Sequence, residues 1–313
     1  MLGKTAGGLF WMFRYLERSE NISRMIEAGW RIALTRSEEA DSEWESVVRS
    51  AGVHENYRVK YESIEASQAI NFLLRDKDNP SSVLSAINAA RSNARMVRTA
   101  LSSEVWEATN ECWMAANDIL KRPVSDRNLA DALAVIRHRG AVVRGALHGT
   151  MLRNDIFNFC RLGTFLERSD ATSRILDVKY YVLLPSAASV GSTIDNTQWE
   201  IVLRSVSALR SFRWLNGPET RPSSIADFLI LDRRMPRSLA FCINEIKNNL
   251  SFLEQDYGTR QSCQDLADSI FTRCTGRQVD TIFDEGLHEF LEAFLADTTR
   301  LSGQIEQDFR FYH

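Results

Sequence analysis

LERSENISR (16–24) and LERSDATSR (166–174) repeat the same charged pattern 150 residues apart. Six of the twelve positions in 16–27 are identical to those in 166–177, including a glutamate, two arginines and two serines. Both stretches have the composition of helices, yet their charges fall among apolar residues. A helix that carries charges on an apolar face must pair them or direct them into a wet cavity, because an isolated buried charge is costly.

Two further blocks recur in the same order with slightly different offsets. They are WESVVRS (44–50) with WEIVLRS (199–205), and FLLRDKDNPSSVLSAIN (72–88) with FLILDRRMPRSLAFCIN (228–244). Three matched blocks with small insertions between them indicate a tandem duplication. We therefore expect one domain over 1–313, built from a first repeat of about 1–150 and a second of about 151–313.

Helical periodicity dominates the chain, and strand-like alternation is scarce. Apolar residues recur three or four positions apart in residues 83–97, 129–147 and 287–305, which is typical of amphipathic helices. Residues 186–196 and 215–224 have the composition of loops. We predict an all-α fold: a single pseudo-twofold helical bundle built from two tandem repeats of about four helices.

Composition excludes several functional classes. The 313 residues carry a formal net charge of −3, which does not suggest a nucleic-acid binder. No long uncharged apolar run predicts a membrane span. The five cysteines are widely spaced without a C-x-x-C pair, so we expect reduced core cysteines in a cytoplasmic protein. We find no phosphate-binding loop and expect no cofactor. A single Glu285-x-x-His288 is insufficient for a di-iron site, and we expect no metal.

A helical wheel directs three of the first motif's charges toward the apolar side. With about 100° per residue, Glu17, Glu20 and Arg24 share a face with Phe13 and Leu16. Arg18 lies on a different side. The second copy keeps this pattern with Glu167, Asp170 and Arg174, and each copy has an acid four residues before an arginine, the favourable order for an ion pair.

Two interpretations of these charges remain open. In one, structural salt bridges fix how the two halves meet. In the other, a polar pocket binds an anionic ligand, because arginine donates two parallel hydrogen bonds to carboxylate or phosphate. Glu17 and Glu167 are then the candidate catalytic bases. The candidate ligand-binding residues are Arg18, Glu20, Arg24, Arg168, Asp170, Arg174, Arg49, Arg58, Arg204 and Arg213, of which the last four would complete the pocket from a neighbouring helix or instead be solvated.

WMFRYLERSENISRMIE (11–27) and TMLRNDIFNFCRLGTFLERSDATSRILDVKYY (150–181) resemble the bacterial alpha-E family, helical domains with a recurring Glu-Arg motif. The resemblance covers nearly the whole chain, and the motif corresponds to Glu17-Arg18 and Glu167-Arg168. It departs at Gly163 and Thr164, where the first copy has Phe13 and Arg14. The resemblance implies partnership with ATP-grasp amide ligases and transglutaminase-like proteins, and hence a role in forming or modifying amide bonds.

Three functional hypotheses follow. The leading one is an accessory or substrate-binding partner of an ATP-grasp amide or peptide ligase, which binds a carboxylate- or phosphate-bearing ligand. The second is a stand-alone ligase or transferase in which the glutamates act as bases and the arginines stabilise developing negative charge. The third is a scaffold whose Glu-Arg pairs only specify the register of the helices.

Overall fold

The computed structural model describes residues 1–34, 40–182 and 193–312. Within these ranges the chain forms fifteen α-helices and no strand, which confirms the all-α prediction. Those in the first 150 residues are α1 (Gly3–Ala33), α2 (Ala40–Ser50), α3 (His54–Lys60), α4 (Ala66–Arg75), α5 (Val83–Met96), α6 (Ser103–Ile119) and α7 (Asp126–Thr150). The remainder are α8 (Asp155–Val182), α9 (Thr193–Ser205), α10 (Leu209–Asn216), α11 (Pro222–Ile230), α12 (Leu239–Tyr257), α13 (Ser262–Thr275), α14 (Val279–Glu285) and α15 (Leu287–Asp308).

Two long helices that carry the repeated motif, α1 and α8, pack against each other at the centre of the molecule. Helix α1 also contacts α5 and α7, and α8 contacts α12 and α15. No helix in the described part of the chain combines the length and the hydropathy that crossing a membrane requires.

The described helices are more numerous than the expected four per repeat, and two of the breaks between them are tight turns at matching positions. Gly52, after α2, has φ of 68°, and Ser207, after α9, has φ of 56°. Both positions adopt left-handed backbone conformations, which interrupt helical hydrogen bonding. The two residues are 155 apart, the same offset that relates the WESVVRS and WEIVLRS blocks.

Local sequence explains where α5 and α12 begin. The Oγ atoms of Ser82 and Ser238 accept the backbone N–H groups of Ser85 and Phe241 at 3.2 and 3.0 Å. A serine at the N-cap satisfies an N–H group that has no partner within the helix. The apolar periods that predicted helices over 83–97, 129–147 and 287–305 coincide with α5, α7 and α15.

The predicted loops are only partly loops. Residues 186–192 lie outside the described residues, and α9 already begins at Thr193. Within 215–224, α10 continues to Asn216 and α11 begins at Pro222, a proline at the start of a helix where its missing N–H costs nothing. Trp44 and Trp199, which begin a matched pair of blocks, are both buried in the core.

The backbones of α1 and α8 touch at Gly163. A Cβ atom at this position would lie 2.1 Å from the carbonyl oxygen of Phe10 and 3.2 Å from the backbone nitrogen of Arg14. No side chain fits there without moving one helix. The departure from Phe13 to Gly163 between the two motifs therefore has a physical reason: α1 occupies the space that a side chain would need.

We expect Gly163→Ala to destabilise the protein by about 3 kcal/mol or more, because the methyl group meets backbone atoms that cannot rotate away. Urea unfolding followed by circular dichroism measures this change. Gly145→Ala on α7 is the matched control. A Cβ atom at this position would have no neighbour within 4 Å, and alanine is the better helix former. The control should be neutral or stabilised by up to about 1 kcal/mol. Equal stability of the two variants would exclude tight contact at Gly163.

Candidate functional site

The two Glu-Arg motifs exchange partners across the α1–α8 contact. Arg168 on α8 donates from Nε and Nη2 to the two carboxylate oxygens of Glu17 on α1, at 2.9 and 3.0 Å. In return, Arg18 on α1 donates from Nε and Nη2 to Glu167 on α8, with the Nη2 contact at 3.0 Å. Each motif therefore supplies the glutamate for one bidentate ion pair and the arginine for the other.

Arg18 lies on another side of α1 than Glu17, and that side is buried too. The helical wheel set Arg18 apart from the charged face of α1, yet the side chain is about three-quarters buried and reaches Glu167 on α8. The reason is that α1 is enclosed by several helices and buries residues on more than one side. The i,i+4 pairs are confirmed: Arg24 lies 2.7 Å from Glu20, and Arg174 lies 2.8 Å from Asp170.

Around Glu17 the charges form a closed network, here called the Glu17 cluster. It comprises Glu17, Glu20, Arg24, Arg144, Arg168 and Arg237. Glu17 and Glu20 are almost completely buried, with 2% and 0% of their surface exposed. Arg237, which precedes α12, lies 3.0 Å from Glu17 and 3.1 Å from Glu20, and Arg144 on α7 binds Glu20.

The arginines keep these carboxylates ionised. Burial by itself would raise the pKa of Glu17, but Arg168 and Arg237 more than offset it and hold the pKa far below its ordinary value of 4.5. Arg18 and Arg14 lower the pKa of Glu167 against burial in the same way. Burial lowers the pKa of Arg237 to about 10, which still leaves its guanidinium charged at neutral pH. Neither glutamate is suited to act as a base near pH 7, because an efficient base has a pKa close to the working pH.

Around Glu167 the charges instead line an open cavity, here called the Glu167 pocket, of about 240 Å³. Its polar lining residues are Arg14, Arg18, Asn21, Ser50, Ser81, Glu167, Asp170, Arg174 and Thr299. Arg14 donates to Glu167 at 3.0 Å and to the hydroxyl of Ser302 at 2.8 Å. The pocket thus brings together three arginines and two carboxylates from α1 and α8.

The Glu167 pocket has small residues at positions where the Glu17 cluster has arginines. Ser81 lines the Glu167 pocket, and the matched block places Arg237 at the corresponding position, 156 residues later. Likewise, α15 contributes Thr299 to the pocket, whereas α7 contributes Arg144 to the Glu17 cluster. The Glu17 cluster is therefore filled by arginine side chains, and the Glu167 pocket retains a cavity.

Asn21 connects the two networks and leaves one donor without a partner. Its Oδ1 accepts a hydrogen bond from Nη1 of Arg237 at 2.8 Å. That contact fixes the amide orientation, because arginine can only donate. The Nδ2 group is buried beside the Glu167 pocket and has no hydrogen-bond partner in the described part of the chain. A buried amide N–H₂ of this kind requires an acceptor.

Other N–H groups at the pocket are also available. No hydrogen-bond acceptor among the described residues faces Nη1 of Arg18, Nη1 of Arg174 or Nη2 of Arg14. Both oxygens of Asp170, by contrast, already accept from Arg174. The pocket therefore offers several donors that an anionic ligand can use.

The remaining predicted arginines do not line this pocket. Arg49 and Arg58 are exposed and pair with Glu45 at 2.7 and 3.8 Å. Arg204 and Arg213 pair with Glu200 and line a different cleft together with Arg24. Among the described residues no group of histidine, cysteine, aspartate and glutamate side chains is arranged to hold a metal ion.

Sequence reasoning missed Asn21, Arg144 and Arg237, and it left Arg14 without a role. Asn21 stands opposite Ala171 in the quoted motifs, and Arg237 stands opposite Ser81 in the third pair of blocks. Those differences between the two copies are the sequence signal that could have identified Asn21 and Arg237. No such signal marks Arg144, because it lies outside the matched blocks.

We expect Glu17→Ala to reduce the free energy of unfolding by about 3–5 kcal/mol, because it leaves Arg168 and Arg237 buried without their shared carboxylate. Glu167→Ala should cost less, about 1–3 kcal/mol, because Arg14 and Arg18 border a cavity that water can enter. Urea unfolding of both variants measures the difference. An equal or larger loss for Glu167→Ala would contradict the distinction between a filled network and an open one.

Comparison with known proteins supplies the family. The family model for Alpha-E, described as an α-helical domain with an ER motif, matches residues 1–309. No curated protein and no solved structure gave a significant match to the chain. The chain contains two Glu-Arg dipeptides, Glu17-Arg18 and Glu167-Arg168, whose side chains form the two reciprocal pairs. The chain belongs to the Alpha-E family.

Proposed function

We propose that this protein is a substrate-binding partner of an ATP-grasp amide or peptide ligase, and that the Glu167 pocket holds the ligand. The observation that carries the proposal is the donor set: three arginines line one cavity with N–H groups that have no acceptor among the described residues, and the buried Nδ2 group of Asn21 beside them also has none. Arginine groups recognise carboxylates through charge-assisted hydrogen bonds. Carboxylates are the groups that an amide ligase activates, and the ligase partner itself is inferred from the family resemblance.

The proposed ligand is an amino acid or a short peptide. Its carboxylate would accept from Asn21, Arg18 and Arg174, and its amine would approach Asp170. A cavity of about 240 Å³ has space for a small ligand rather than for a large cofactor. The low pKa of Glu167 favours a binding role for this residue over the role of catalytic base.

The Glu17 cluster has a structural role in this proposal. Its two glutamates are paired with four arginines, so neither carboxylate there remains for a ligand. We further propose that the halves 1–150 and 151–313 are related by a pseudo-twofold axis within one domain. In this arrangement the first motif's network serves stability, and the second motif's network serves binding.

Two alternatives make different predictions. A stand-alone ligase or transferase would turn over ATP with carboxylates and amines in the absence of any partner. A pure scaffold would tolerate any change in the Glu167 pocket that preserves folding. The first is tested by ATP turnover of the purified chain, and the second by a variant that fills the pocket without removing a structural contact.

Ser81→Arg is that variant. It places an arginine at the position that corresponds, in the matched block, to Arg237 of the Glu17 cluster. We expect the new side chain to occupy the pocket and pair with Asp170, so that the thermal midpoint of unfolding stays within a few degrees of wild type. Binding of the dipeptide alanylglutamate, measured by isothermal titration calorimetry, should weaken by at least about tenfold, which corresponds to 1.4 kcal/mol. Ser81→Ala, the matched control, should bind as wild type does.

Asn21→Ala supplies a second measurement, because it removes the Nδ2 group that has no partner among the described residues and reproduces the alanine found at position 171. It should weaken binding of the same dipeptide. Arg49→Gln, the control, should not, because Arg49 pairs with Glu45 as Arg174 pairs with Asp170 but lies away from the pocket. Wild-type affinity in Ser81→Arg, or no dipeptide binding by wild type at millimolar concentration, would refute the proposed site. Copurification of the ligase with wild type but not with Ser81→Arg would support the partnership.

A further inference from the structure

A second cavity lies further along α1, between that helix and the α9–α10 segment. It measures about 520 Å³ and shares no lining residue with the Glu167 pocket. The side chains of this α9–α10 cleft are strongly one-sided in charge. Five arginines line it, Arg24, Arg31, Arg204, Arg210 and Arg213, together with a single carboxylate, that of Glu27.

Nearby carboxylates neutralise these arginines only in part, and Arg24 is paired with Glu20. Glu200 is shared between Arg213 and Arg204, and it lies 3.7 Å from the latter. Glu27 is shared between Arg31 and Arg137 of α7. Arg210 forms no ion pair or hydrogen bond within the described ranges, and it is exposed at the rim. The cleft therefore has an excess of positive charge that can attract anions.

The floor of the cleft is apolar and its shape is held by a strained turn. Ile201 and Leu209 line it and are both buried. Ser207 adopts a left-handed backbone conformation, and its hydroxyl accepts a hydrogen bond from Arg24. A non-glycine residue in that conformation is uncommon and is often associated with function. The contact holds the guanidinium of Arg24 against the α9–α10 turn.

We propose that the α9–α10 cleft binds a small phosphate-bearing molecule with at least two negative charges and an apolar body. Several guanidinium groups around one concavity suit a diphosphate, whose oxygens accept from more than one arginine. The apolar floor suits a ring or chain attached to the phosphates. The volume lies within the range of about 300–1,000 Å³ that is usual for small-molecule sites. This second site is independent of the ligase role and of the Glu167 pocket.

Calorimetric titration of the full chain with orthophosphate, pyrophosphate and ADP at low ionic strength tests the proposal. Affinity should rise in that order, because pyrophosphate adds a second anionic group and ADP adds an apolar body. Added salt should weaken all three interactions, since exposed charges are screened. Absence of ADP and pyrophosphate binding would overturn the proposal.

The double variant Arg210→Ala/Arg213→Ala should weaken ADP binding by at least about tenfold, because each hydrogen bond to a charged group contributes about 1.5–3 kcal/mol. Arg49→Ala/Arg58→Ala is the matched control: it removes the same charge from exposed residues of the first half that line neither cavity. An equal loss in the control would show diffuse charge attraction and refute the site. Arg210→Glu, which touches no ion pair, repeats the test if the double variant does not fold.

Ser81→Arg separates this proposal from the proposed function. That variant fills the Glu167 pocket and should retain wild-type ADP affinity. Loss of ADP binding in Ser81→Arg would contradict the assignment of two separate sites, whereas loss of dipeptide binding alone would support it.

Discussion

The two glutamates that exchange arginines across α1 and α8 are the constraint on which the rest of the structure depends. Glu17 and Glu167 are both more than nine-tenths buried, and each requires a cation to be tolerated there. The cation comes from the other helix in both cases. A slip of either helix along the other would separate both pairs at once, so the pairs specify one register. Gly163 permits this arrangement, because it allows the two backbones to touch.

Function in this account arises from the difference between two otherwise similar networks. Arginines from the α12 entry and from α7 complete the Glu17 cluster, so its carboxylates are fully paired. At the Glu167 pocket, serine and threonine leave space, and within the described part of the chain three arginines retain N–H groups without an acceptor, as does the Nδ2 group of Asn21. Such a pocket is suited to ligand binding rather than to proton transfer, since its glutamate has a lowered pKa.

Sequence patterns predicted the fold class, the helical stretches, the burial of the motif glutamates and the two i,i+4 ion pairs. These features depend on residues a few positions apart, which helical geometry determines directly. The reciprocal pairing of Glu17 with Arg168 and of Glu167 with Arg18 depends instead on how two distant helices cross. A wheel drawn for α1 alone placed Arg18 on another side than Glu17, and it could not show that α8 buries that side as well. Arg144 was equally inaccessible to prediction, since only the packing of α7 brings it to Glu20.

A double-mutant cycle on Glu17 and Arg168 tests the central claim most directly. Urea unfolding of Glu17→Gln, Arg168→Met and the double variant gives the coupling free energy between the two side chains. The account predicts that the double variant is about 2–3 kcal/mol more stable than the sum of the single changes implies, because each single change leaves a buried partner uncompensated. Additive effects, with a coupling below about 0.5 kcal/mol, would show that this pair does not hold α1 and α8 together.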